Sequence, residues 1–388
     1  MAARRPIYLD HHSTTPVAPE VLDAMLPYFR EDFGNAASES HSFGWRAAAA
    51  VDAARERLAA ALGARPDEIF FTSGATESNN LAILGAARAG RRRRDHVVTV
   101  ATEHPSVLDP CSQLEREGFS VTLLPVDDQG LIDLSELADI LGERSALVSV
   151  MAANNEIGVL QPIEEIADLC RERGVLFHSD AAQAAGKLPL RVDRVEADLL
   201  SLSGHKIYGP KGVGALYVRR RRPRIRLEPL LFGGGHEGGL RSGTLPVPLI
   251  VGMAAALDLC LAELEGEAKR LRGLAEGLLA RLQGELSGVK LNGHPDLRLP
   301  GNVNLTFEGV DGDRLLLSLA DIAISSGSAC SSASPKPSHV LAALGHSEAL
   351  SRASLRFGLG RGTSAEDIEW AARRVIDEVR AQRSAGSP

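Results

Sequence analysis

Lys206 stands three residues past the end of an apolar run, ADLLSLS (197–203), and just before the turn residues Gly209 and Pro210. A lysine at the tip of a core strand, with His205 before it and no carboxylate beside it in the chain, needs a chemical reason to be there. Further reactive or hydrogen-bonding residues stand at the ends of other apolar runs. GATES (74–78) follows EIFFTS with a glycine turn, and Thr76 and the first backbone N–H groups of the helix it opens, Ala75 among them, suit a phosphate. Glu103 and His104 follow HVVTVAT, Asn154, Asn155 and Glu156 follow ALVSVMAA, Asp180 and Gln183 follow GVLFHS, and Ser203, Gly204 and His205 lead into Lys206.

Those runs alternate with helix-length segments such as IEEIADLCRER, which is the rhythm of a mostly parallel sheet wrapped by helices. In open α/β sheets ligands bind outside the carboxyl ends of the strands, so these residues are expected to meet in one cavity. From about residue 256 the pattern changes to one long charged helix (258–283), then NVNLTF, a VDGD turn, a short helix, IAISSGS, SLRFGLG, and a last helix opened by a TSAE capping box. The expected division is a large domain over 15–255 and a smaller α+β domain built from 1–14 and 256–388.

With 388 residues, 44% of them hydrophobic, the chain can bury two substantial cores, and a net charge of −7 does not suit direct nucleic-acid binding despite RRRR at 91–94. No stretch approaches the roughly 18 apolar residues of a membrane span. Cys111, Cys170, Cys260 and Cys330 have neither disulfide-framework nor metal spacing. The first three fall in helical patterns as packing residues. His11, His12 and His41 match no metal template, and a reducing, cytoplasmic setting is expected without a metal. GHKIYGPKG carries proline where a Walker loop needs lysine, and GGGHEG runs into LRSGTLPVP rather than a helix, so neither is a nucleotide loop.

A phosphate cradle, a flat imidazole, a carboxylate and a lysine are what pyridoxal phosphate requires. YLDHHSTTP, FTSGATESNNLA, TEHPSVLD, NNEIG, HSDAAQAAGKLP, SGHKIYGPKGVGALYVR, GGGHEGGLRSGT, SSGSACSS and SLRFGLGR together resemble the cysteine desulfurases, fold-type I pyridoxal phosphate enzymes of the class V aminotransferase group, across nearly the whole chain. SSGSAC resembles the subgroup with a long cysteine loop that supplies iron–sulfur cluster assembly. The resemblance implies a Schiff-base lysine at Lys206, a pyridine-nitrogen partner at Asp180, ring stacking by His104 and a phenolic-oxygen contact from Gln183. It implies phosphate ligands at Ala75, Thr76, Ser203 and His205, and a further one, Thr244, donated to the neighbouring subunit of a homodimer. Asn155 and Arg356 would hold the substrate. Lys206 would also move the Cα proton of L-cysteine, and Cys330, in a stretch of small, turn-forming residues, would take the sulfur as a persulfide, leaving L-alanine. Sulfur acceptors are expected to be a cluster scaffold or tRNA-thiolation enzymes. Many relatives dock the scaffold through a tail beyond the last helix, whereas this chain ends at AQRSAGSP. A selenocysteine lyase, or another pyridoxal phosphate lyase or aminotransferase, is the alternative.

Overall fold

The computed structural model describes residues 6–221, 224–326 and 337–386. The six apolar runs become the strands Ile69–Thr72, His96–Val100, Ser120–Leu124, Ser145–Ser149, Leu176–Asp180 and Leu199–Ser203. A seventh, Gly214–Val218, not expected from the sequence, inserts between Ile69–Thr72 and Leu199–Ser203 and runs antiparallel to both. The remaining pairs are parallel, in the order Leu199–Ser203, Leu176–Asp180, Ser145–Ser149, His96–Val100, Ser120–Leu124.

Alternation across this sheet sorts side chains into two cores. Phe71, Val98, Val148 and Leu200 face the helices Ser42–Leu62 and Val247–Ala262, while Phe70, Val97, Leu147 and Leu199 face Ala75–Gly90 and Pro105–Arg116. Both faces are covered, so the central strands are apolar throughout and easily read from sequence, whereas the edge strand Ser120–Leu124 is partly exposed.

The second unit is a four-stranded antiparallel sheet, in the order Ser325–Ser326, Ser354–Gly358, Asn302–Phe307, Val289–Leu291. Its core joins Leu305, Phe307 and Phe357 to Leu278 and Leu282 of the helix Leu264–Glu285 and Val375 and Val379 of the helix Ala365–Gly386. Ile7 and Leu9 lie in that core, and Ile7–Tyr8 pairs parallel with Ile322–Ala323.

Two local expectations are corrected. The single helix expected over 258–283 is two helices, Val247–Ala262 and Leu264–Glu285, bent by 72°. Buried residues of the first point into the large core and those of the second into the small one, which no straight helix could do. The first helix also runs through position 255, so the large core extends to Cys260. The last helix is capped one residue later than TSAE suggests: Ser364 Oγ accepts from Asp367 N at 3.1 Å, and Asp367 Oδ2 accepts from Ser364 N at 3.1 Å. Among the described residues no single helix is long and apolar enough to cross a membrane.

Candidate active site

The carboxyl ends of the parallel strands open on a cavity of about 520 Å³. Ala75, Thr76, His104, Asn155, Asp180, Gln183, Ser203, His205 and Lys206 all line it, as the sequence reading expects. Arg356 and Thr244 do not. Arg356 is buried on the strand Ser354–Gly358, and Thr244 is exposed. Cys330 lies outside the described residues.

Lys206 is delivered by a 3-10 turn, Gly204–Lys206, directly after the strand Leu199–Ser203. Tyr208 then takes a left-handed backbone (φ 64°), uncommon for a non-glycine residue. It is held there because its N–H donates to Thr15 Oγ1 at 2.8 Å and its hydroxyl accepts from Arg361 N at 2.8 Å. The chain then returns through Gly214, where a Cβ would lie 2.5 Å from Leu202 O and 2.6 Å from Gly74 Cα. Only glycine lets the returning strand lie against the turn that starts the helix Ala75–Gly90. Lys206 Nζ donates to the carbonyls of His12 (2.6 Å) and Ser13 (2.7 Å). The N-terminal segment thus forms one wall of the cavity, a role that side-chain types in DHHST do not announce.

Asp180 and His104 are joined through Asn79 and Ser106, which sequence pattern does not mark as site residues. Asp180 Oδ2 accepts from Asn79 Nδ2 at 2.7 Å and Oδ1 from Ala182 N at 2.9 Å. The same Asn79 amide nitrogen donates to Ser106 Oγ at 2.9 Å, and Ser106 Oγ lies 2.8 Å from His104 Nδ1. Nδ1 also accepts from Ser106 N at 3.1 Å, which makes it the unprotonated nitrogen and places the ring proton on Nε2. Burial holds His104 below the ordinary histidine range, only partly countered by Asp180, so the ring is neutral. A neutral ring pinned flat at a helix N-terminus is suited to stack on an aromatic group.

On the other side, Ser203, His205, Lys211 and the first turn of the helix Ala75–Gly90 surround one lobe. That turn has N–H groups without carbonyl partners. Burial and the neighbouring Lys206 and Lys211 lower His205 to about 4, leaving a neutral ring whose Nδ1 lies 3.1 Å from Thr14 Oγ1. A phosphate fits this lobe. With a ring-stacking imidazole, a buried carboxylate and a lysine completing the walls, the residues present fit pyridoxal phosphate.

Arg356 connects the two units. Its Nη1 donates to Asn155 O at 2.7 Å, and Nη2 reaches Asp10 Oδ1 at 2.8 Å and Ser13 Oγ at 2.6 Å. Nε is buried and without a protein partner among the described residues. Two described residues flanking 327–336 are tied to the same loops. Ser325 Oγ donates to Asp10 Oδ1 at 2.8 Å, and Ser338 Oγ donates to Glu156 Oε2 at 2.5 Å. The ring of His339, next in the chain, lies 2.8 Å from Glu103 O.

Burial pushes the thiols of Cys111 and Cys170 up to about 12 and that of Cys260 to about 11, so all three are protonated packing groups. GGGHEG, rejected as a nucleotide loop, proves to be an anchor: buried Glu237 accepts from Phe71 N at 2.7 Å and pairs with Arg55 at 2.7 Å.

Comparison with known proteins agrees with this architecture. Residues 7–370 match the Aminotransferase class-V family. The chain is 53% identical to the cysteine desulfurase of Mus musculus over 382 residues, 98% of this chain and 83% of that one. Among solved structures, a NifS-like protein superposes with a TM-score of 0.90 at 35% identity, covering 97% of this chain and 100% of that one. The structure described as SspA in complex with cysteine gives 0.81 at 41% identity, covering 91% and 98%. The chain therefore belongs to the class V aminotransferase family, among its cysteine desulfurases.

Proposed function

We propose that this enzyme binds pyridoxal phosphate through Lys206, converts L-cysteine to L-alanine, and takes the sulfur on Cys330. The thiol of Cys330 and the thiol of cysteine give a persulfide on Cys330, while the C–S bond of the substrate is replaced by C–H. Atoms and electrons balance without an external oxidant or reductant.

The cofactor, when bound, supplies an electron-accepting ring that makes the substrate Cα proton removable. The other roles belong to the chain. Asp180, oriented by Asn79 and Ala182, would present a carboxylate to the ring nitrogen, and His104, fixed by Ser106, would stack on the ring. Ala75, Thr76, Ser203 and His205, which line the cavity, would hold the phosphate, and Gln183 would offer an amide N–H to the phenolic oxygen. Lys206, which lines the same cavity, would be the amine that carries the Cα proton. Asn155, which lines the cavity, and Arg356 would orient the substrate carboxylate; a guanidinium fork suits that anion, and its Nη2 arm, now on Asp10 and Ser13, would exchange those partners for it.

One observation carries this reading. Lys206, Asp180 and His104 line a single cavity, and Ser325 and Ser338, on either side of the stretch that contains Cys330, are hydrogen-bonded to the loops around it. A thiol between two such anchors can collect sulfur at the cavity and hand it to an acceptor. Supply to iron–sulfur cluster assembly or tRNA thiolation, in the cytoplasm, completes the reading. A homodimer is part of it: Thr244 faces outward, and Phe29, Phe33 and Trp45 are 55%, 65% and 59% exposed, an apolar set that a second copy would cover.

The test uses Cys330→Ala. It should bind pyridoxal phosphate and change its visible spectrum when cysteine is added, yet release no sulfide above background. In the wild type, mass spectrometry after cysteine without reductant should find added sulfur on Cys330. Wild-type sulfide release by the variant, or added sulfur on Cys111, Cys170 or Cys260, overturns the assignment.

A further inference from the structure

A second lysine lies behind the cavity wall. Gly186 turns the chain in a left-handed conformation (φ 68°) at a point where a Cβ would come within 2.9 Å of Cys260 Cβ and 3.1 Å of Ile207 Cγ2. Lys187 follows, and its Nζ donates to Gln183 Oε1 at 2.8 Å. The same oxygen lies 3.2 Å from His12 Nδ1. A carboxamide oxygen only accepts, so His12 carries its proton on Nδ1. Its Nε2 is then bare, buried, and without a protein partner among the described residues. The amide nitrogen of Gln183 spends one N–H on His12 O at 2.8 Å. A primary amide has a second N–H, and Gln183 lines the large cavity, so that second N–H is the one left to face it.

Lys187 itself does not line the large cavity. It lines a separate one of about 40 Å³, together with His11, His12, Cys260 and Tyr208. Glu263, Glu267 and Arg361 stand along the same space. Burial, then the charge of Lys206, brings Lys187 down to about 7, with Arg356 acting in the same direction and Cys260 against it.

We infer that Lys187 is a positioning residue: by donating to Gln183 Oε1 from behind, it locks the amide with its nitrogen end toward the phenolic oxygen of bound pyridoxal phosphate. An inverted amide would set its NH2 against the donors of Lys187 and its oxygen against the carbonyl of His12, so both contacts oppose the flip. This rests on the cofactor reading above and extends it to a residue that does not touch the cofactor.

The readout is the pH midpoint at which the visible band of bound pyridoxal phosphate changes. An N–H donated to the phenolic oxygen draws electron density from the nitrogen that joins the cofactor to Lys206 and lowers its proton affinity, as does a nearby positive charge. Lys187→Met should therefore raise the midpoint by about one pH unit, a tenfold change in proton affinity. Lys187→Arg, which keeps charge and donor, should stay closer to wild type than Lys187→Met. In a Gln183→Ala background the added Lys187→Met should contribute less than half of its shift in the wild-type background. An unchanged midpoint in Lys187→Met, or half or more of the shift persisting without Gln183, overturns the inference. If Lys187→Met does not fold, Lys187→Leu, which likewise has no donor, carries the same comparison. A wild type that gains no visible band with pyridoxal phosphate defeats the cofactor reading instead, which keeps the two failures distinct.

Discussion

Asn79 holds the two groups that would sandwich a cofactor ring from edge and face. Its single amide nitrogen donates to Asp180 Oδ2 and to Ser106 Oγ, and Ser106 fixes His104. Asn79→Ala should leave Asp180 with one protein donor fewer in a buried site, at a cost of about 1–3 kcal/mol for an unsatisfied buried group. The expected outcome is a soluble enzyme with at least tenfold weaker pyridoxal phosphate binding and lower kcat, measured by absorbance titration and alanine release. Unchanged affinity would remove Asn79 from the site. Asn79 was not legible in the sequence because it lies inside a helix, away from the strand ends that drew attention to Asp180, His104 and Lys206. The carbonyls of His12 and Ser13 were invisible for a different reason: a backbone acceptor leaves no mark in residue type. Arg356 shows the converse. Its residue type suggested an anion site, but only the structure shows Asp10 already occupying one arm of its fork.

Strands that are buried on both faces read as continuous apolar runs, which is why six of the seven in the large sheet could be placed from sequence. Gly214–Val218 was missed because it follows a glycine-rich turn rather than a helix, and its antiparallel direction breaks the βαβ rhythm. The break at Glu263 was missed because no glycine or proline marks it; the change of buried face from one core to the other bends the chain. Cross-strand polar pairs also escape pattern reading. On Leu176–Asp180, fully buried His178 bridges to Ser149 Oγ (2.8 Å) and Ser201 Oγ (2.9 Å) on the strands either side. Burial lowers it to about 4, opposed by Asp180. The unfolded chain, with an ordinary histidine near 6.5, therefore takes up this proton before the folded one does. The stability involved is fully present above about pH 6.5 and is lost as pH falls toward 4, reaching about 3 kcal/mol. Buried Glu103 and Glu156 are held above the ordinary carboxylate range, so their contribution has the opposite slope and the histidine must be isolated by difference. His178→Asn should lower stability at pH 7.5 yet flatten its decline between pH 6.5 and 4.5, measured by denaturant unfolding across that range. An equal decline in both proteins would show that His178 does not titrate there.

At the scale of the whole molecule, the N-terminal segment stitches the two units together. Leu9 N donates to Ala323 O and His11 N to Gly358 O in the small unit, while Thr15 N donates to His205 O and Ala18 N to Tyr208 O beside Lys206. The two-core plan was legible from the change of pattern near residue 256, and Ile7 and Leu9, within the stretch 1–14 expected to join the small unit, lie in its core, but the attachment of Thr15 and Ala18 beside Lys206 was not legible, because those contacts are backbone to backbone. Arg241, three residues before Thr244, pairs at 2.8 Å with Glu77 in the first turn of the helix Ala75–Gly90, yet Thr244 is exposed and absent from its own cavity wall. In the proposed homodimer this exposed residue would serve the second copy, and mixed dimers separate that arrangement from service within its own subunit. In a dimer of Lys206→Ala with Thr244→Val, the one site with a lysine would face the intact Thr244 of its partner and should bind pyridoxal phosphate as the wild type does. When both substitutions sit on one subunit and the other is wild type, the site with the lysine faces valine and should bind the cofactor several-fold more weakly. Differently tagged subunits, co-expressed and purified through both tags, allow titration of each mixed dimer by visible absorbance. The reverse order of affinities would show that Thr244 serves its own subunit, and equal affinities would show that it serves neither.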